Sequence, residues 1–257
     1  MTSRSRKWHH RLLGTVDDRR RWRDVLLRKV GLARTHVPME LVRRKELALP
    51  NVVRGLAADR LVRQHSLTFV QVGAFDGQSD DDLTSLLDFE HVRGVLVEPQ
   101  PEPFEKLQKR FAGHENLQLV NAAIARDADE RPLYSPRCGA SRLASFDRQN
   151  LIRHGVDSAE IVSKQVRCLP LEKLLEQAGF DQLDVLQIDA EGYDLEVLAT
   201  LDLDRWRPTV IRLEYRHLPP REVDDCLRRL SARGYRFLLQ ERDLVASLIV
   251  SQVGRAA

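Results

Sequence analysis

The residues best placed to do chemistry are carboxylates at the ends of two apolar runs. In Asp184-Val185-Leu186-Gln187-Ile188-Asp189-Ala190-Glu191-Gly192 an apolar strand delivers Asp189 and Glu191 at its carboxyl end, and Gly192 then turns the chain into an amphipathic helix. In Val210-Ile211-Arg212-Leu213-Glu214-Tyr215-Arg216-His217 a second strand delivers Glu214 and His217. Carboxylates converging from neighbouring strand ends raise one another's pKa into a range suited to removing a proton from a hydroxyl. Alternatively they hold a divalent cation such as Mg²⁺, which lowers the pKa of a bound hydroxyl. The catalytic candidates are therefore Asp189, Glu191, Glu214 and His217, and a metal, if one is used, falls to the first three. His91, His114 and His154 show no ligand spacing with one another or with a cysteine.

Earlier in the chain stands a candidate binding turn. Val70-Gln71-Val72-Gly73-Ala74-Phe75-Asp76-Gly77 reads as a strand running into a glycine-bearing turn, where glycine permits positive φ and lets backbone approach a ligand. The run Val95-Leu96-Val97 then ends in Glu98, 21 residues after Gly77. That is about where an α/β sheet places the acid that binds ribose hydroxyls. Pro99 keeps Glu98 extended at the strand end. The turn is not GxGxxG, and Asp80-Asp81-Asp82 at the expected helix start would repel a pyrophosphate. No GxxxxGK[ST] loop occurs, which disfavours nucleoside triphosphate hydrolysis. A nucleoside without phosphate fits better, and S-adenosylmethionine, an adenosine carrying a sulfonium, is such a ligand.

Positioning these residues requires a parallel sheet. From residue 65 apolar runs alternate with amphipathic stretches, the pattern of strands covered by helices on both faces. Strands are expected at 67–72, 94–98, 117–121, 183–189 and 209–214, with a closing pair at 235–240 and 244–250. Helices are expected around Phe104, Leu107 and Phe111, around Leu171, Leu174, Leu175 and Ala178, and around Val223, Cys226, Leu227 and Leu230. The last two sets recur at i, i+3, i+4 and i+7. Residues 131–164 fit neither period and read as a long functional loop. Residues 37–64 read as helical pieces broken at Pro38 and Pro50.

The chain has 257 residues, 42% hydrophobic and 31% charged, enough aliphatic content for a core, and no apolar run long enough to span a bilayer. Cys138, Cys168 and Cys226 are odd in number and far apart, so neither a disulfide framework nor a zinc site is expected. No secretory signal is legible, and the expected compartment is the cytoplasm. The net charge of +3 hides an asymmetry: residues 1–63 hold 17 Lys and Arg against 6 Asp and Glu, or +11, while the rest hold 24 against 32, or −8. The expected organisation is a basic helical extension over 1–64 and a cofactor-binding domain over 65–257.

The ordered set of motifs resembles the FkbM-type S-adenosylmethionine-dependent methyltransferases over roughly residues 67–216. It comprises the Val72-Gly73 to Gly77 turn, the strand ending in Glu98-Pro99, Asn121-Ala122-Ala123, and the block from Ile188-Asp189 to Val197-Leu198. That block departs from the family in having Asp194 where Glu is usual. The resemblance implies a doubly wound α/β fold of the class I methyltransferase (Rossmann-like) type, with a mostly parallel seven-stranded sheet. It implies Gly73, Ala74, Asp76 and Gly77 on the methionine side of the cofactor, Glu98 on the ribose, and Asn121, Ala122 and Ala123 near the adenine. Ser141 and Ser145 would touch cofactor or acceptor.

The function so implied is O-methylation of a hydroxyl on a small molecule or glycan, with S-adenosylmethionine as cofactor and Mg²⁺ as an open question. The alternatives are an RNA methyltransferase using the basic segment, and a non-catalytic module that keeps the cofactor fold. The RNA reading is disfavoured because aromatic and basic residues are not interleaved as stacking requires. An acidic carrier protein would suit the basic segment. A homodimer is compatible with the sequence, although no sustained heptad or exposed apolar stripe supports one.

Overall fold

The computed structural model describes residues 52–78, 83–127, 129–216, 218–240 and 242–248. His217, Asp80 to Asp82 and most of the basic segment thus lie outside the described residues. The first described element is helix α1 (Val52–Gln64), which begins two residues after Pro50. Then come β1 (Leu67–Val72), β2 (Val92–Val97), α2 (Pro101–Arg110), β3 (Leu117–Val120), β4 (Ala123–Ile124) and β5 (Glu130–Pro136). After these the chain forms α3 (Arg148–Arg153), β6 (Ile161–Leu169), α4 (Leu171–Gln177), β7 (Val185–Ile188) and α5 (Asp194–Leu198). It closes with β8 (Val210–Glu214), α6 (Pro220–Ala232), β9 (Arg236–Gln240) and β10 (Asp243–Ser247).

Seven strands form one sheet in the order β3-β2-β1-β7-β8-β10-β9. The first five are parallel, and β10 runs antiparallel to both β8 and β9. β1, β7 and β8 read as nearly continuous apolar runs because both their faces are covered. One apolar layer joins Val70, Val72, Ile188 and Leu213 to α4 and α6; the other joins Leu67, Phe69, Val185 and Val210 to Val53 and Ala57 of α1. The amphipathic period read around Cys226, Leu227 and Leu230 is the buried stripe of α6. This is the doubly wound, Rossmann-like fold expected, with its seven strands mostly parallel.

Strand order reverses between β1, which leads outward to β2 and β3, and β7, which leads the other way to β8. A crevice opens at such a switch point beyond the carboxyl ends of the strands. Two elements differ from expectation. Between β1 and β2 the described residues contain a 3₁₀ turn at Thr84–Leu86 and no α-helix. The stretch 131–164, read as loop, instead begins inside β5 and ends inside β6, which pair antiparallel and join β4 in a second, three-stranded sheet. That hairpin is mostly half-buried or exposed, so its sequence never acquires the apolar run that marks the central strands.

Candidate active site

The turn after β1 is built by one glycine. Gly73 has φ +79°, and a Cβ on it would stand 1.9 Å from the carbonyl oxygen of Asp189. No side chain fits there, so Gly73 is what lets the ends of β1 and β7 meet. The amides of Gly73 and Ala74 both donate to the carbonyl of Val97, which folds the turn toward β2. Phe75 then presents its amide to Glu98 Oε2 at 2.9 Å, while the Gln100 amide donates to Oε1 at 2.8 Å. Glu98 is buried, and burial lifts its pKa to about 7 even though both amides pull it down.

The end of β7 is held in a strained turn. Glu191 has φ +48° and Gly192 φ +92°, and a non-glycine residue in that region persists only where its surroundings hold it. Ser145 Oγ and Asn150 Nδ2 donate to the Glu191 carbonyl at 2.9 and 2.8 Å. Asp194 is fully buried and accepts from the amides of Gly192 and Glu214, tying the turn after β7 to the end of β8. The result is that carboxylate oxygens of Asp189, Glu191 and Glu214 lie within 4.8 Å of one another. Burial raises Glu191 to about 8, helped by the charges of Asp189 and Glu214 and opposed by Arg142 and Arg242. Glu214 rises to about 7, again by burial first and then by Asp189 and Asp243.

These groups face a cavity of about 420 Å³, within the size range of small-molecule sites. Its opposite wall comes from the segment between β5 and α3. The Gln100 side chain clamps that segment, donating to the Ser141 carbonyl at 3.0 Å and accepting from the Ser141 amide at 3.0 Å. Arg142 lies 5.2 Å over the ring of Phe75.

Of the residues singled out from sequence, Gly73, Glu98, Ala123, Ser145, Asp189, Glu191 and Glu214 line this cavity. Ala74 and Ala122 are buried in the apolar layers. Gly77 backs onto Leu107 and Phe111, and Asp76 caps the amide of Gln78. Asn121 braces the crest by donating to the Glu98 carbonyl at 2.8 Å, and Ser141 acts through its backbone on Gln100. None of these six is among the lining residues. The cavity also recruits residues not singled out: Gln71, Gln187, Arg212, Phe75, Gln100 and Arg142. The first two carried a signal, a lone amide interrupting Val70-Gln71-Val72 and Leu186-Gln187-Ile188.

A family model described as the methyltransferase FkbM domain matches residues 71–237. The chain belongs to the FkbM methyltransferase family. This domain is accordingly of the S-adenosylmethionine-dependent methyltransferase kind. Among solved structures, the FkbM methyltransferase of Methylobacillus flagellatus KT is 14% identical with a TM-score of 0.47, the match covering 70% of this chain and 43% of that one. The present chain thus spans under half the length of that protein. A precorrin-6y C5,15-methyltransferase of Geobacter metallireducens GS-15 is 15% identical, TM-score 0.38, over 82% of this chain and 90% of the other. An rRNA methylase of Streptococcus thermophilus is 13% identical, TM-score 0.38, over 80% and 98%. No curated protein matches the sequence. Among the described residues no helix is long and apolar enough to cross a membrane.

Proposed function

We propose that the protein transfers the methyl group of S-adenosylmethionine to a hydroxyl oxygen of a small molecule or glycan. The observation that carries this reading is the meeting of Asp189, Glu191 and Glu214 within 4.8 Å at the ends of two adjacent strands. A hydroxyl gives up its proton as the new O–C bond forms. A carboxylate whose pKa has been lifted toward neutrality accepts that proton better than an ordinary one. Glu191, raised to about 8 by burial first and then by the charges of Asp189 and Glu214, is assigned this role.

The lining fits the cofactor by its chemistry. Glu98 offers a carboxylate for paired ribose hydroxyls, Ala123 and Ile124 leave an apolar floor for a flat base, and Arg142 is a cation for an amino-acid carboxylate. When bound, the cofactor supplies an electrophilic methyl carbon whose bond to sulfur breaks with the electron pair staying on sulfur. The chain's own task is to orient the acceptor, exclude water and take the proton at the Glu191 carboxylate.

The test is release of S-adenosylhomocysteine from protein incubated with cofactor and a panel of sugar and polyketide-like alcohols. Glu191→Gln and Glu214→Gln are expected to lower kcat by about 100-fold or more, with S-adenosylhomocysteine affinity in calorimetry changed by less than about threefold. Equal loss of turnover and of binding would contradict the base assignment. The 4.8 Å grouping also favours a second use of the same acids, as ligands for Mg²⁺. In that case EDTA abolishes turnover and Mg²⁺ restores it. An RNA acceptor is disfavoured at this centre, whose lining carries five carboxylates against three arginines.

A further inference from the structure

The excursion between β5 and β6 grips the turn after β7 at three places. Ser145 Oγ and Asn150 Nδ2, from 46 and 41 residues earlier in the chain, both donate to the Glu191 carbonyl. Phe146 meets the ring of Tyr193 edge-on, with 5.0 Å between the centroids. Arg131 of β5 lies 4.6 Å over the Phe146 ring and donates to the Tyr193 hydroxyl at 2.7 Å. The turn that carries Glu191 is thus held from outside its own strand and helix.

The grip on the carbonyl bears on where the carboxylate points. Glu191 has φ +48°. Rotation about that bond sets the direction of Cβ relative to the preceding strand, so a return to the ordinary value near −60° would swing the side chain through about 110°. On the amide side the backbone is fixed by the sheet, the Asp189 amide donating to the Val72 carbonyl at 3.0 Å. On the carbonyl side it is fixed by Ser145 and Asn150. A left-handed conformation in a non-glycine residue persists only where its surroundings over-determine it. With φ so held, the carboxylate keeps within 4.8 Å of those of Asp189 and Glu214.

The two donors are not equivalent. Ser145 lines the cavity, and its hydroxyl also accepts from the Asp147 amide at 3.2 Å. Asn150 is 1% exposed and is not among the lining residues, so it meets the turn and not the cavity. Its helix α3 is anchored, with Asp147 capping the Gln149 amide at 2.9 Å and Leu151 wholly buried. The Glu191 carbonyl fixes which end of the Asn150 amide faces it, since only the nitrogen can donate. The other end, Oδ1, accepts no hydrogen bond. A buried amide oxygen left so is unfavourable, and a Leu of similar volume would avoid that penalty. The donor, rather than packing, explains an asparagine at this position.

We propose that Asn150 is a positioning residue for methyl transfer, holding Glu191 by its backbone carbonyl so that the carboxylate stands beside Asp189 and Glu214. This rests on the methyl-transfer reading above. Asn150 acts through Glu191 alone and touches neither cofactor nor acceptor.

The experiment uses the full chain as wild type, Asn150→Leu and Asn150→Ala, each with and without Glu191→Gln; the Ala variant cannot overfill the site if Leu does. S-adenosylhomocysteine is titrated into each by calorimetry, and turnover is followed with whichever alcohol of the sugar and polyketide-like panel the wild type methylates fastest. No binding, or no turnover with any of these alcohols, in the wild type sinks the methyl-transfer reading and this inference with it. With Glu191 present, both Asn150 substitutions are expected to lower kcat by about 10- to 100-fold, while KM and S-adenosylhomocysteine affinity change by less than about threefold. In the Glu191→Gln background the same substitutions are expected to change kcat by less than about twofold, because no base is left to position. Losses that multiply across the two backgrounds, or an unchanged kcat with Glu191 present, would overturn the proposal while leaving methyl transfer standing. Loss of S-adenosylhomocysteine affinity in step with kcat, or failure of both variants to fold, would assign Asn150 a packing role instead.

Discussion

Glu98 has an amide donating to each of its oxygens, and burial still lifts its pKa to about 7. If it holds ribose hydroxyls as a carboxylate, protonation of the free protein competes with binding. Affinity for S-adenosylhomocysteine should then fall about tenfold between about pH 8 and about pH 6. Calorimetry across that range checks it, and Glu98→Gln should bind more weakly with a flat profile. Gly73 makes a sharper prediction. A methyl group there would meet the Asp189 carbonyl at 1.9 Å on a backbone with φ +79°. Gly73→Ala is expected to destabilise by about 4 kcal/mol or more, read by denaturant unfolding. Sequence pointed to Gly73 as a place for ligand approach; Gly73 lines the cavity and also permits the close approach of the neighbouring strand. Gln71 and Gln187 were visible only as interruptions in apolar runs, since one sequence does not reveal what lies above a strand end.

At the scale of elements, the central strands were legible because burial on both faces writes itself as continuous Val, Leu and Ile. The β5–β6 hairpin was not, because a mostly half-buried or exposed pair needs no such run and carries prolines at 132 and 136. The tie between β7 and β8 was equally hidden. Asp194 fell inside a recognised motif as a departure from Glu, and only the fold shows its carboxyl gathering amides from both strand ends. Burial first, then Asp189, holds its pKa well above the usual carboxylate range. Asp194→Ala strands those buried amides and should cost about 2–3 kcal/mol. Because Glu191 and Glu214 then lose their common anchor, kcat should fall more than stability alone explains. Comparing kcat with S-adenosylhomocysteine affinity in the folded variant separates the two effects.

Across the whole molecule, the asymmetry of charge is partly settled within the chain. Arg60 of α1 pairs with buried Asp184 at 2.7 Å, joining the end of the basic region to the acidic body. The acid-rich crest sets the pH response of stability. Glu98, Glu191 and Glu214 all have folded pKa values above their usual range, so their protonated forms favour the native state. Their contribution is full below an unfolded pKa of about 4.5 and is lost as pH rises through about 7 to 8. The ligand-free protein should therefore melt at a lower temperature at about pH 8 than at about pH 6. The combined Glu191→Gln, Glu214→Gln variant should reduce that difference in scanning calorimetry.

The clamp between Gln100 and Ser141 carries a kinetic consequence. Gln100 bonds the Glu98 carboxylate through its backbone and the far wall through its side chain, so whatever settles on Glu98 is felt by the wall that carries Arg142. The site should accordingly fill in compulsory order, nucleoside before alcohol. A dead-end analogue of the alcohol should inhibit competitively against the acceptor and uncompetitively against S-adenosylmethionine, and Gln100→Ala should make the order random and the second pattern non-competitive.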